Sequence, residues 1–155
     1  MRSATRMDGQ GYFHGSTHKT NQLISFNPGK KKLRTHGPTW GHGQYTTVMV
    51  LSPDGKYLYY LPGAHGKAWT FGTPVIQFDL HSKTRKVLAF LGPAMEDAFG
   101  YVPGGTYGVK LSPDGSTLYV NFNGHLADPI RPAKHRPIGF GLCSFAAIHI
   151  PKAER

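Results

Sequence analysis

A single cysteine, Cys143, stands in the 155 residues. That excludes an internal disulfide framework and any zinc site built from a cysteine cluster. Acidic side chains are scarce, 8 Asp and Glu against 18 Lys and Arg, for a formal charge of +10 with the histidines neutral. No apolar run approaches the roughly 18 residues that a membrane-spanning helix needs. The opening residues, Met1 to Asp8, lack the apolar segment of a secretory leader. Long uninterrupted segments are missing too, because 20 glycines and 12 prolines punctuate the chain. Such punctuation breaks helices and suits short strands joined by turns. The basic clusters, Lys30–Lys31–Lys32–Leu33–Arg34, Lys83–Thr84–Arg85–Lys86 and the run from Arg131 to Arg136, have no interleaved aromatics. They therefore do not form a stacking platform for single strands, and none sits on an expected recognition helix, which weighs against a nucleic-acid partner. What is present suffices for one packed domain: 39% hydrophobic and 12% aromatic residues.

The chain repeats itself. Leu51-Ser52-Pro53-Asp54-Gly55-Lys56-Tyr57-Leu58-Tyr59 returns as Leu111-Ser112-Pro113-Asp114-Gly115-Ser116-Thr117-Leu118-Tyr119, at a constant offset of 60 residues. Proline presets φ in such a turn, Asp bonds its own backbone, and Gly takes the left-handed exit, so each copy predicts strand, tight turn, strand. A second element recurs: Gln22 to Leu33 resembles Pro74 to Val87, and Ala147 to Lys152 is a partial third copy. Each full unit is then four antiparallel strands, a to d, and such units in series indicate propeller blades.

The Ser-Pro-Asp-Gly hairpin followed by Val75-Ile76-Gln77-Phe78-Asp79-Leu80 and Thr84-Arg85-Lys86-Val87 resembles bacterial β-propeller repeats of the TolB-like and WD-like type, with lactonase-like propellers close in pattern. The resemblance spans roughly residues 11 to 151. It implies an all-β, single-domain partial propeller of about two and a half four-stranded antiparallel blades over residues 1–155. Blade one supplies strands b to d at 11–37, blade two is complete at 45–91, and blade three supplies a to c at 107–150. A closed ring takes at least about four blades. The chain thus reads as the C-terminal part of a larger propeller or as one of several copies that close a ring together. Its expected partners are the remaining blades or other copies of itself.

Histidine register marks where chemistry would sit. His65 and His125 each follow their turn glycine by ten residues, and aligning Tyr12-Phe13 with Tyr59-Tyr60 brings His18 onto His65. All three are expected in b–c loops, which in propellers share the channel mouth with the d–a loops, the face that the resemblance implies for binding. Converging imidazoles there suit zinc or another divalent metal. His36, His42, Glu96 and Asp97, assigned to d–a loops, add further ligands or acid/base groups. The plainer account is that loop histidines end strands and recur because the blades arose by duplication. The long b–c insertion from Asp128 to Pro137 carries Arg131, Lys134, His135 and Arg136 and would attract an anionic small molecule, a carboxylate sugar or a phosphate.

Elsewhere the expectations are structural. Lysines of the c–d hairpins form a solvated rim, Pro103-Gly104-Gly105 bends a d–a loop, and Cys143 is a buried thiol. Tyr59, Tyr60, Tyr119 and Phe122 pack between blades. Three functions remain open: a ligand- or partner-binding propeller segment, a metal-assisted hydrolase, lactonase or lyase using His18, His65 and His125 with Glu96 or Asp97, and a protein-interaction scaffold. The enzyme reading borrows from propeller enzymes such as oligogalacturonate lyases, which bind a metal through histidine at such a mouth.

Overall fold

The computed structural model describes residues 1–41, 46–63, 68–127 and 141–155. Among them run eleven strands: β1 (Ser3–Ala4), β2 (Phe13–Ser16), β3 (Gln22–Asn27), β4 (Lys32–Pro38), β5 (Thr46–Leu51), β6 (Tyr57–Pro62), β7 (Pro74–Asp79), β8 (Arg85–Phe90), β9 (Tyr101–Leu111), β10 (Thr117–Leu126) and β11 (Leu142–His149). One helix, α1 (Leu91–Phe99), separates β8 from β9. The strands form three antiparallel sheets in the orders β1-β2-β3-β4, β5-β6-β7-β8 and β9-β10-β11. No helix among the described residues is long and apolar enough to cross a membrane.

The repeated turns fold alike, atom for atom. Ser52 Oγ donates to Asp54 Oδ1 and Ser112 Oγ to Asp114 Oδ1, both at 2.6 Å. The same serine oxygens accept the amides of Tyr57 (2.8 Å) and Thr117 (2.9 Å), where β6 and β10 begin. The serine hydroxyls, with the amides of Lys56 and Ser116, hold both carboxyls below the ordinary range. Gly55 and Gly115 close the turns at φ 77° and 72°.

In the middle sheet β6 and β7 are buried on both faces, which is why they read as almost continuous apolar runs, Tyr-Leu-Tyr-Tyr-Leu and Pro-Val-Ile-Gln-Phe. Leu58, Tyr60, Ile76 and Phe78 pack with Leu23 of the first sheet. Tyr59, Leu61 and Val75 face the third sheet and pack with Leu118, Val120 and Phe122.

The two seams differ in kind. The third sheet meets the middle one through side chains that are nearly all apolar. The first sheet buries Leu23 but also His14, Ser16, Ser25 and Asn27, while Phe26 and Leu33 on its other face stay exposed. Hydrogen bonds make that inward face tolerable. The Asp8 carboxylate, which can only accept, takes a bond from His14 Nε2 at 3.0 Å. His14 Nδ1 is then the acceptor for Ser25 Oγ at 2.8 Å, and Ser25, its one proton committed, accepts from His36 Nε2 at 2.7 Å. Burial pushes His14 down against the pull of Asp8, and burial with the neighbouring Lys83 pushes His36 down to about 4. Burial works to raise Asp8, but the amides of Tyr12 and Gln10 and the bond from His14 hold it below the usual carboxylate range.

Several elements depart from the sequence expectation. Ser3–Ala4 adds a fourth strand to the first sheet, pairing with Ser16 and Gly15. A two-residue strand carries no periodic signal, and the approach depends on Gly15, where a Cβ would lie 2.2 Å from the Ser3 carbonyl oxygen. Pro103-Gly104-Gly105 is no bend but part of the 11-residue β9, whose register with β10 shifts twice through bulges. Cys143 is exposed, because it lies on the outward face of β11, opposite Asn123. Tyr59, Tyr60 and Phe122 are buried between sheets, but Tyr119 is 37% exposed and stacks on Phe145 of the uncovered face.

The two turn glycines separate backbone strain from crowding. A Cβ on Gly55 would meet nothing within 4 Å, whereas one on Gly115 would lie 3.2 Å from the Pro53 ring. Gly55→Ala is expected to lower stability by about 1–2 kcal/mol, the left-handed penalty alone. Gly115→Ala should cost more, as read from urea midpoints; equal losses would contradict the contact.

Candidate functional site

Helix α1 is short and begins Leu91-Gly92-Pro93, with the proline in the first turn, where its missing N–H breaks no helical bond. Leu91 and Met95, one turn apart, bury themselves in the core between the middle and third sheets. Gly100, at φ 61°, ends the helix and donates its amide to the Glu96 carbonyl at 2.8 Å. The start of the helix is welded to the connection between β6 and β7: Leu91 N–H donates to Thr73 O (3.1 Å) and Gly92 N–H to Gly72 O (2.9 Å). That connection contains the 3-10 turn Ala68–Phe71, which carries Trp69.

These elements enclose a cavity of about 320 Å³ bounded by Trp69, Pro93, Glu96, Asp97, Val102 and His125. Val102 and His125 are direct partners across β9 and β10. The strands press together there, since a Cβ on Gly124 would fall 2.1 Å from the Val102 carbonyl oxygen. Both ring nitrogens of His125 are buried and have no hydrogen-bond partner among the described residues. A neutral imidazole offers one donor and one acceptor, and the two carboxylates accept. The indole supplies an apolar face. Together these groups can grip a small molecule that stacks on one side and hydrogen-bonds on the other. Among the described residues no three His, Cys, Asp or Glu side chains gather closely enough to hold a metal ion.

No family model matches the chain, and no curated protein sequence matches it. Solved structures do. Tricorn protease superposes with a TM-score of 0.57 at 11% identity over 95% of this chain and 13% of its own. The major Malassezia sympodialis allergen Mala s 1 gives 0.55 at 16% identity, over 79% and 42%. Kuenenia stuttgartiensis hydrazine synthase gives 0.54 at 14% identity, over 77% and 29%. The chain spans less than half the length of each. Such similarity, with three open antiparallel sheets, establishes the architecture. The fold is a partial β-propeller.

In blade terms, the cavity lies where the d–a connection of blade two meets its b–c connection and blade three. His18 is exposed in the b–c loop of blade one, away from this cavity. His125 sits inside strand b of blade three, because that strand runs on to Leu126. Glu96 and Asp97 belong to the d–a connection but stand on α1, and both line the same cavity as His125. His36 is not in a loop; it lies on strand d of blade one, in the polar seam. His42, His65, Arg131, Lys134, His135 and Arg136 fall outside the described residues. Trp69 went unnoticed in the sequence, although a tryptophan in a glycine-rich b–c connection was the available signal.

The weld between helix and loop leaves no room for a side chain at Gly92, where a Cβ would lie 3.0 Å from the Gly72 carbonyl carbon. Gly92→Ala is expected to cost about 1–3 kcal/mol and to displace α1 from the 3-10 turn. Trp69 fluorescence checks this: an unchanged spectrum with unchanged stability would contradict the weld.

Proposed function

We propose that this chain is the ligand-binding part of a β-propeller, and that the cavity of Trp69, Glu96, Asp97 and His125 receives a neutral, hydroxyl-rich small molecule. The observation that carries the reading is the buried imidazole of His125, unpartnered at both nitrogens among the described residues. Leaving such groups unsatisfied costs about 1–3 kcal/mol each, a cost that a bound hydroxyl removes. The apolar face of Trp69 and the accepting carboxylates beside it match the C–H face and O–H rim of a sugar-like ring. Two acids on the wall disfavour anions. Binding at the b–c and d–a end is the arrangement that the family resemblance implies, and this reading puts it on α1 and strand b of blade three.

Further blades complete the ring in this reading. Blade one shows Phe26 and Leu33 on its outer face, and blade three shows Tyr119 and Phe145, faces that neighbouring blades cover in a closed propeller. Those blades come from a longer chain or from other copies. A metal-assisted hydrolase or lyase would draw on His65 in addition to His18 and His125, of which His18 lies away from this cavity; a scaffold would use the rim alone and leaves the unsatisfied imidazole unexplained.

Titration with glucose, galactose and xylose, followed through the His125 ring signals by NMR, tests the proposal. The neutral sugars should shift those signals saturably, and the matching uronic acids should bind more weakly. His125→Leu should abolish sugar binding as read by calorimetric titration and raise stability by about 1 kcal/mol, since it removes an unsatisfied buried polar group. Silent ring signals together with a destabilised His125→Leu would contradict the proposal.

A further inference from the structure

At the opposite end of the molecule, between blades one and two, lies a second cleft of about 170 Å³. Its floor is the His14–Ser25–His36 chain, and three separate elements bring cations to it: Arg34 from β4, Lys56 from the β5–β6 turn and Lys83 from the β7–β8 turn. We infer that this cleft binds a compact oxyanion of the phosphate type through Arg34, Lys56 and Lys83.

The charge balance points that way. Asp8 is the one carboxylate lining the cleft among the described residues, and it is already committed to the amides of Gln10 (2.9 Å) and Tyr12 (2.8 Å) and to His14. Asp54 and Asp79 lie behind the lysines, and their oxygens serve turn amides: Lys56 for Asp54, His81 and Ser82 for Asp79. None of the three cations has a carboxylate within 4.0 Å among the described residues, where the ion pairs are Asp8–His14 and Lys86–Glu154. The crowding is felt at Lys83 and His36: burial and then Arg34 push Lys83 down against the pull of Asp79, and burial and Lys83 depress His36, whereas Tyr57, with Asp79 and Asp54, holds Lys56 up. An anion relieves this repulsion.

The geometry is prepared for it. Arg34 is held 4.7 Å over the Tyr12 ring and Lys56 4.6 Å over Tyr57, so aromatic faces position both heads with no carboxylate within 4.0 Å among the described residues. Lys83 donates to the Leu80 carbonyl, which leaves two of its three protons for a ligand. A planar guanidinium fork with two ammonium groups supplies donors from several directions, as a tetrahedral oxyanion needs and a flat carboxylate does not. This site is independent of the cavity around His125.

Lys83 offers an unusually clean test. It holds φ 62°, a conformation that glycine adopts more easily, so Lys83→Gly removes the charge while relieving backbone strain. Lys31 holds φ 50° in the β3–β4 turn outside the cleft, so Lys31→Gly is the control. Calorimetric titration at neutral pH and low salt, with inorganic phosphate and separately with O-phosphoserine, should show saturable binding. Lys83→Gly and Arg34→Gln should each weaken it about tenfold, the loss of a charge-assisted bond, and Lys31→Gly should leave it unchanged. Stronger binding of phosphoserine assigns the site to a terminal phosphate, and stronger binding of inorganic phosphate to the free ion; both support the inference. No saturable binding of either, or equal losses in Lys83→Gly and Lys31→Gly, overturns it.

Discussion

Burial of the middle blade on both faces is the constraint on which everything else rests. Side chains of β6 and β7 alternate toward blade one and toward blade three, so the same two strands supply half of each seam. A strand buried on one side tolerates polar residues at every second position; one buried on both does not. Gln77 is the exception that fits, because its amide donates to the Glu154 carbonyl at 2.6 Å, where Tyr59 also donates its hydroxyl. The C-terminal turn is thereby tied to the middle blade.

From that blade the two candidate sites project in opposite directions, and their chemistry differs accordingly. One end carries the long connections, where a helix and a 3-10 turn interlock and present carboxylates, an indole and an unpartnered imidazole. The other carries the tight hairpins, whose exposed turns hold lysines. Hairpin lysines discourage edge pairing, but Lys56 and Lys83 also face a cleft whose floor is polar. The separation keeps an acid-lined cavity and a cation-lined cleft within one small unit without mutual neutralisation.

The strands were legible because the Ser-Pro-Asp-Gly turns repeat and because β6 and β7 carry near-continuous apolar runs. Helix α1 was hidden by Gly92 and Pro93, which read as breakers although both sit in its first turn. The polar seam was hidden for a deeper reason. In β3 the alternation runs opposite to the usual rule, with Ser25 and Asn27 buried and Phe26 exposed, so hydrophobicity alone points the strand the wrong way round. Ser25 is stable in that orientation because it donates to His14 and accepts from His36, and those partners lie 11 residues away on either side. His125 follows from the repeat register and Glu96 and Asp97 from their place in a d–a connection, but that all three line one cavity depends on a helix that the register did not contain.

Amide hydrogen exchange of the whole chain tests the central role of the middle blade most directly. Amides of Leu58 to Leu61 and Val75 to Phe78 should be the slowest and should exchange only through global unfolding, with β4 and β11 opening earlier. If β6 and β7 exchange as fast as the outer strands, the middle blade is not the element that holds the fold together.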